Sequence, residues 1–163
     1  MQDKIQTQPI QQDPDKLNES FKKYYSAKQS NAMKKALQLK RSQGYFLGNP
    51  PLGYMRSKSN NKMIIPHPKE KYIVYDIFEQ YEAGHSTLQE TADDHNCAGA
   101  RTRHNKMFTH NSIYAILKNK VYIGYISSPR KAYPDIKGRH QPIISDELFF
   151  KVQNMLKKHK KTT

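Results

Sequence analysis

Residues 69–84, KEKYIVYDIFEQYEAG, decide how the rest of the chain is read. Ile73, Val74, Ile77, Phe78 and Tyr81 recur at the i, i+3, i+4 spacing of one helix face, and Gly84 supplies a stop. A strand would need alternation, which Ile73-Val74 and Ile77-Phe78 break. The spacing predicts an amphipathic core helix. STLQETADDHN follows, with Ser86 and Gln89 spaced as a capping box and Leu88 and Ala92 on a small-residue face. THNSIYAILKN then predicts a further short helix, capped by Thr109 or Asn111, with Ile113, Ile116 and Leu117 turned inward. KVYIGYISS alternates as a strand does, PIIS is a candidate to pair back on it, and Ser145 opens a last helix, DELFFKVQNMLKKHKK. In that helix Phe149, Val152 and Met155/Leu156 face inward, and its end is a basic tail.

Upstream of the core helix, GYFLGNPPLGY (44–54) is an uncharged aromatic elbow. Pro50-Pro51 keep the chain extended and push Asn49 out of the helical region. Tyr45, Phe46, Leu52 and Tyr54 are expected to anchor the elbow on the core. Short strands near 52–57 and 62–66 flank the polar turn Ser59-Asn60-Asn61. Before the elbow, Lys16–Gln43 holds neither Pro nor Gly and carries a thin apolar stripe among cations, the pattern of one long helix ended by Gly44. Residues 1–15 are Gln-, Asp- and Pro-rich without periodicity and read as a disordered lead. The expected class is mainly α with small β-hairpins, α+β: a long N-terminal helix (16–44) and a compact domain (45–163).

Charge narrows the partner. The 163 residues hold 28 Lys and Arg against 14 Asp and Glu, a net of +14, and residues 1–20 are acidic on balance. The cations gather at Lys34-Lys35, Lys40-Arg41, Arg101/Arg103/Lys106, Arg130-Lys131 and Lys137/Arg139, with few acids beside them. Such clusters suit phosphate contacts, and a wrapped polyanion, nucleic acid or an anionic membrane, is a better reading than a merely solvated face. No apolar run is long enough to span a bilayer, and no stretch sets a lysine face against a broad apolar one, so no membrane partner is expected. The single Cys97 excludes an internal disulfide and a CxxC zinc ribbon. The chain reads as cytoplasmic.

Two short helices in sequence, the second with a polar first turn, make a helix-turn-helix layout, although the connection is longer than usual. His110, Asn111, Ser112, Tyr114 and Ala115 are the candidates for base edges, with Lys118 and Asn119 near the backbone. Asn can pair bidentately with adenine, and Ser and His can each make single contacts. His95, Cys97, His104 and His110 are spaced by 2, 7 and 6 residues, unlike the tight pairs of zinc sites. Asp93-Asp94 reads as a solvated pair rather than a nuclease metal site, and no nucleophile or phosphate loop is apparent. No cofactor, metal or catalytic residue is expected.

Taken in order, LKRSQG, PPLGY, MIIPHP, IVYDIFEQYEAGHS, TLQETADDHN, TRHNKMFTHNSIYAILKNKVYIGYI and GRHQPIISDELFFKVQNML resemble the recombinase domain of large serine recombinases, over roughly residues 20–157. The resemblance implies a non-catalytic domain that holds an attachment half-site. In such proteins a resolvase-like domain carries the attacking serine, a long helix links it to this domain, and a zinc ribbon usually follows. Nothing before Lys16 here can house the serine and its arginines, and nothing after Thr163 supplies the ribbon, so an excised domain or a truncated remnant is expected. On that carry-over Lys34, Lys35, Lys40 and Arg41 lie along the duplex, and the segment from Arg101 to Lys118 gives groove and phosphate contacts. The expected partners are the half-site and the parent's catalytic domain, with the chain monomeric off DNA. The alternatives are a stand-alone helix-turn-helix transcription regulator, which needs a dimer interface, and a metal-dependent nuclease built on the histidines.

Overall fold

The computed structural model describes residues 14–84, 86–127 and 134–161. It forms two compact units, Met1–Leu39 and Lys40–Thr163. Helix α1 spans Pro14–Ser42, starting two residues before the expected Lys16, with proline in the first turn where its missing N–H costs nothing. Within the first unit Phe21, Tyr24, Tyr25, Met33, Leu37 and Leu39 are exposed, so no core forms there among the described residues.

The second unit begins with the last turn of α1. Gly44 (φ 81°) stops the helix, with its N–H on the Arg41 carbonyl (2.8 Å) and the Tyr45 N–H on that of Lys40 (3.2 Å). A hairpin follows, β1 (Tyr54–Arg56) paired antiparallel with β2 (Ile64–Pro66), Met55 opposite Ile65. Next comes α2 (Glu70–Glu82), which buries Val74, Ile77, Phe78 and Tyr81 as the periodicity predicts. α3 (Leu88–Cys97) and α4 (His110–Lys118) pack on each other and on α2. α5 (Asp146–Lys161) lies along α2 and α4, burying Phe149, Val152 and Leu156. Phe78 meets Phe149 and Tyr122 with ring centroids 6.0 Å apart in each case.

Three local expectations are corrected. The capping box of α3 is Thr87 with Glu90, one residue after the Ser86/Gln89 pair. The Thr87 hydroxyl accepts the Glu90 N–H (3.2 Å), and the Glu90 carboxylate accepts the Thr87 N–H (2.7 Å), which holds that carboxyl below its ordinary range. Ser86 instead accepts from the Gln80 amide (3.4 Å), and Gln89 donates to Asp93 (3.0 Å).

KVYIGYISS is not one strand. Lys120–Ile123 is a 3-10 turn, capped by the Asn119 side chain on the Val121 N–H (3.1 Å). Val121, Tyr122 and Ile123 are all buried, which strict alternation could not achieve. Gly124 at φ 83° then releases the chain into β3 (Tyr125–Ile126). The partner of β3 is β4 (Ile136–Lys137), not PIIS. Ile143 and Ile144 both donate to the Tyr122 carbonyl (2.9 and 3.0 Å), so that segment docks on the 3-10 turn.

The elbow packs inward through Phe46, Leu52 and Tyr54 as its lack of charge suggests, while Tyr45, expected to anchor with them, stands half-buried outside the core cluster. Leu52 and Tyr54 are buried and Phe46 packs against the core. Tyr54 stacks on Tyr122 (6.1 Å), its hydroxyl 2.8 Å from the Gln141 carbonyl and 3.3 Å from that of Val121. The Tyr122 hydroxyl donates back to the Leu52 carbonyl (3.1 Å). Burial pushes both phenols above their ordinary range. A Cβ on Gly53 (φ +85°) would lie 2.8 Å from Val74 Cγ2, so only glycine lets the elbow approach α2 this closely.

His140 closes this cluster, its ring edge on Tyr54 (5.4 Å) and Nε2 2.8 Å from the Val121 carbonyl. Burial lowers its pKa from 6.5, while the bond to Val121 opposes the shift. The unfolded chain therefore takes up a proton on this group at a higher pH than the folded one. The His140 contribution is fully present above 6.5 and is lost as pH falls through that value towards the depressed folded pKa. Urea midpoints should fall between pH 7.5 and 5, and His140→Gln should flatten this dependence. An unchanged slope in the variant would contradict the assignment.

Candidate nucleic-acid interface

The segment between α3 and α4, residues 98–109, is fastened at several points. The Asn96 side chain accepts the Phe108 N–H (2.7 Å) and donates to the Phe108 carbonyl (2.9 Å), while the Phe108 ring enters the core. Thr102 pairs with Lys106 on both sides. The Thr102 N–H donates to the Lys106 carbonyl (2.8 Å), and the Lys106 N–H donates to Oγ1 of Thr102 (3.1 Å). Asn105 sits at φ 56° in the turn between them, a conformation asparagine tolerates better than most residues. This loop leads into α4 through the Thr109 cap, whose hydroxyl accepts the Ser112 N–H (3.3 Å) while Ser112 Oγ accepts the Thr109 N–H (2.8 Å).

The expected base-edge residues separate accordingly. His110, Asn111 and Ala115 are exposed at the start and outer face of α4. The cap is Thr109, which leaves the Asn111 side chain outside the cap. The Ser112 hydroxyl is engaged at the cap, donating to the Thr109 carbonyl (2.7 Å) as well as accepting. Tyr114 is half-buried, with the Lys118 ammonium 5.0 Å from its ring centre, a cation–π contact that holds Lys118 against the helix. The first turn of α4 has no acid, whereas α2, α3 and α5 carry Glu70, Glu90 and Asp146/Glu147 there. No carboxylate of its own first turn therefore offsets its N-terminal partial positive charge.

Arginines and lysines have different employment. Every arginine among the described residues holds the fold. Arg41 is buried, only 8% exposed, and Nη2 donates to the carbonyls of Ile126 (3.1 Å) and Pro134 (3.0 Å). The expectation that it lies along a phosphate backbone is corrected: the fork is taken up inside the unit. Arg56 donates to the carbonyls of Phe46 and Gly48 across the elbow. Arg101 donates to the carbonyls of Asn96 (3.1 Å) and Ala100 (2.7 Å) at the end of α3. Arg103 ties the loop to the elbow through the carbonyls of Tyr54 (2.9 Å) and Pro51 (3.3 Å). Arg139 lies over the Tyr45 ring (4.9 Å) and donates to its hydroxyl (3.2 Å). Arg103 and Arg139 are nonetheless exposed residues.

Lys34, Lys35, Lys40, Lys106, Lys118 and Lys137 are exposed. Lys34 and Lys35 belong to the first unit and Lys40 to the second. Arg130 and Lys131 lie outside the described residues. Spacing along the chain could not separate Arg41, Arg103 and Arg139 from the exposed lysines, since an acceptor far off in sequence leaves no local mark.

Among the described residues no group of three or more His, Cys, Asp or Glu side chains could hold a metal ion. His95 is buried, 3.7 Å from the Asp76 carboxylate, while His104 and His110 are exposed. No described helix is long and apolar enough to cross a membrane.

The family model described as Recombinase matches residues 68–159, and the chain belongs to that family. Two solved structures are similar to it, each 24% identical. One, described by the sequence requirements of the Listeria innocua prophage attP site, superposes with a TM-score of 0.62 over 77% of this chain and 51% of its own. The other, described as an LSR–DNA complex (LSR, large serine recombinase), superposes with a TM-score of 0.60 over 76% of this chain and 38% of its own. The chain thus spans about half or less of the length of these two structures. No curated protein matches it.

The division between arginines and lysines makes a direct prediction. Arg41→Ala should destabilise the protein by about 1–3 kcal/mol, because two carbonyls lose a charged donor. Lys40→Ala should stay within about 0.5 kcal/mol. Urea unfolding of the two variants checks this; equal midpoints would show that the Arg41 bonds carry no weight.

Proposed function

We propose that this chain is the sequence-specific DNA-binding part of a site-specific serine recombinase, holding one attachment half-site while strand cleavage is carried out by a separate resolvase-like serine domain of the parent protein. The observation that carries the reading is the acid-free first turn of α4, exposing His110 and Asn111 beside a fastened loop, in a chain of the Recombinase family. α3 braces α4 in the manner of the first helix of a helix-turn-helix, and an exposed N-terminal turn is what reaches base edges in such motifs. The net charge of +14 and the exposed lysines supply phosphate contacts. The similarity to structures described by a prophage attP site and by an LSR–DNA complex supports duplex DNA as the partner.

Lys40, Lys106, Lys118 and Lys137 serve the backbone, together with the outward edges of Arg103 and Arg139. Lys34 and Lys35 do the same from α1. His110 and Asn111 read bases. The chain needs no cofactor for this role.

Binding to the half-site should exceed binding to a scrambled duplex by ~10³–10⁷, and should weaken steeply as salt rises. Asn111→Ala should cost about 1–3 kcal/mol on the half-site and far less on scrambled DNA. Fluorescence anisotropy with both duplexes at several salt concentrations measures all three. Equal affinity for the two duplexes would overturn the reading.

A further inference from the structure

Met107 is 61% exposed in a stretch that also exposes Arg103 and Lys106, just before the start of α4. Its backbone has little freedom. On one side Lys106 is bonded through both its N–H and its carbonyl to Thr102. On the other, Phe108 is bonded through both its N–H and its carbonyl to the Asn96 side chain, and its ring is sunk in the core. Arg103 fastens the same loop to the elbow. The fold thus spends several hydrogen bonds on fixing the origin of a side chain that it leaves in water. Met107 contributes nothing to the core, so its apolar character has no structural use here.

Resting on the DNA-binding reading above, we propose that Met107 reads the 5-methyl group of a thymine in the major groove and is a specificity-determining residue of the interface. Met107 stands two residues before the Thr109 cap, so a groove that admits the first turn of α4 also brings DNA to this loop. A thymine methyl is the one apolar feature of the major-groove edges, and an apolar side chain is its natural reader. An unbranched thioether adapts its shape to such a contact. The fixed backbone lowers the entropy lost on binding. Arginine, the usual reader of guanine, is employed in holding the fold here, which leaves recognition near α4 to His110, Asn111 and this methyl contact.

The test uses the full chain and a duplex selected by it from a randomised pool. Each thymine of the selected duplex is replaced in turn by deoxyuridine, which differs only in lacking the methyl group. At one position the loss should weaken wild-type binding roughly three- to tenfold, the scale expected for one buried methyl or slightly more. Met107→Gln should abolish that penalty, whereas Met107→Leu should retain it. Both variants should melt as the wild type does, because the side chain is exposed. If every deoxyuridine substitution affects wild type and Met107→Gln alike, or if the selected duplex has no thymine, Met107 reads no methyl while the DNA-binding reading stands. If selection enriches no sequence at all, that broader reading fails and the role of Met107 falls with it.

Discussion

The Tyr54–Tyr122 pair joins parts of the second unit that would otherwise have little reason to meet. Each ring is buried, each phenol bonds to backbone from the other's segment, and His140 covers an edge. One tyrosine comes from the elbow and hairpin, the other from the 3-10 turn after α4. Phe78 of α2 packs on Tyr122, and the 143–144 segment hangs on the Tyr122 carbonyl. An aromatic pair of this kind contributes about 0.5–1.5 kcal/mol beyond its buried area. Its larger effect is positional. Through it the elbow, the core helix and the exit of α4 share one fixed point.

Around that point the chain divides its cations by chemistry. A guanidinium presents several donors in a planar fork and suits carbonyls converging from separate segments. Arg41 bridges two such carbonyls, while Arg56, Arg101 and Arg103 each take two carbonyls of one short segment. Lysine is a flexible, strongly hydrated point charge, better suited to a phosphate whose position varies along a duplex. A strongly basic composition therefore does not mean that every cation is available to a polyanion. Here part of it is scaffolding, and the scaffold includes the loop that precedes α4.

The helices were legible because their apolar periodicity reports burial directly, as α2 and α5 show. The elbow was legible through its glycines, prolines and missing charge. The 3-10 turn at Lys120–Ile123 was not, because three consecutive buried residues after an Asn cap imitate a short strand. The strand partner of β3 was missed because two residue pairs suffice for it, too few for a pattern. The polar first turn of α4 was legible as such, and His110 and Asn111 there are exposed. The role of Arg41 was not, since Ile126 and Pro134 stand 85 and 93 residues away.

The most direct test of this account is a residue-resolved amide chemical-shift titration of the chain with its selected duplex. The largest changes are expected in the loop tip and first turn of α4, at 104–111, with Lys118 following. The amides beside Arg41 and the Tyr54–Tyr122 pair should hardly move, because those groups hold the scaffold. Large shifts confined to the exposed Tyr72 and Tyr75 on α2, with residues 104–111 silent, would contradict it.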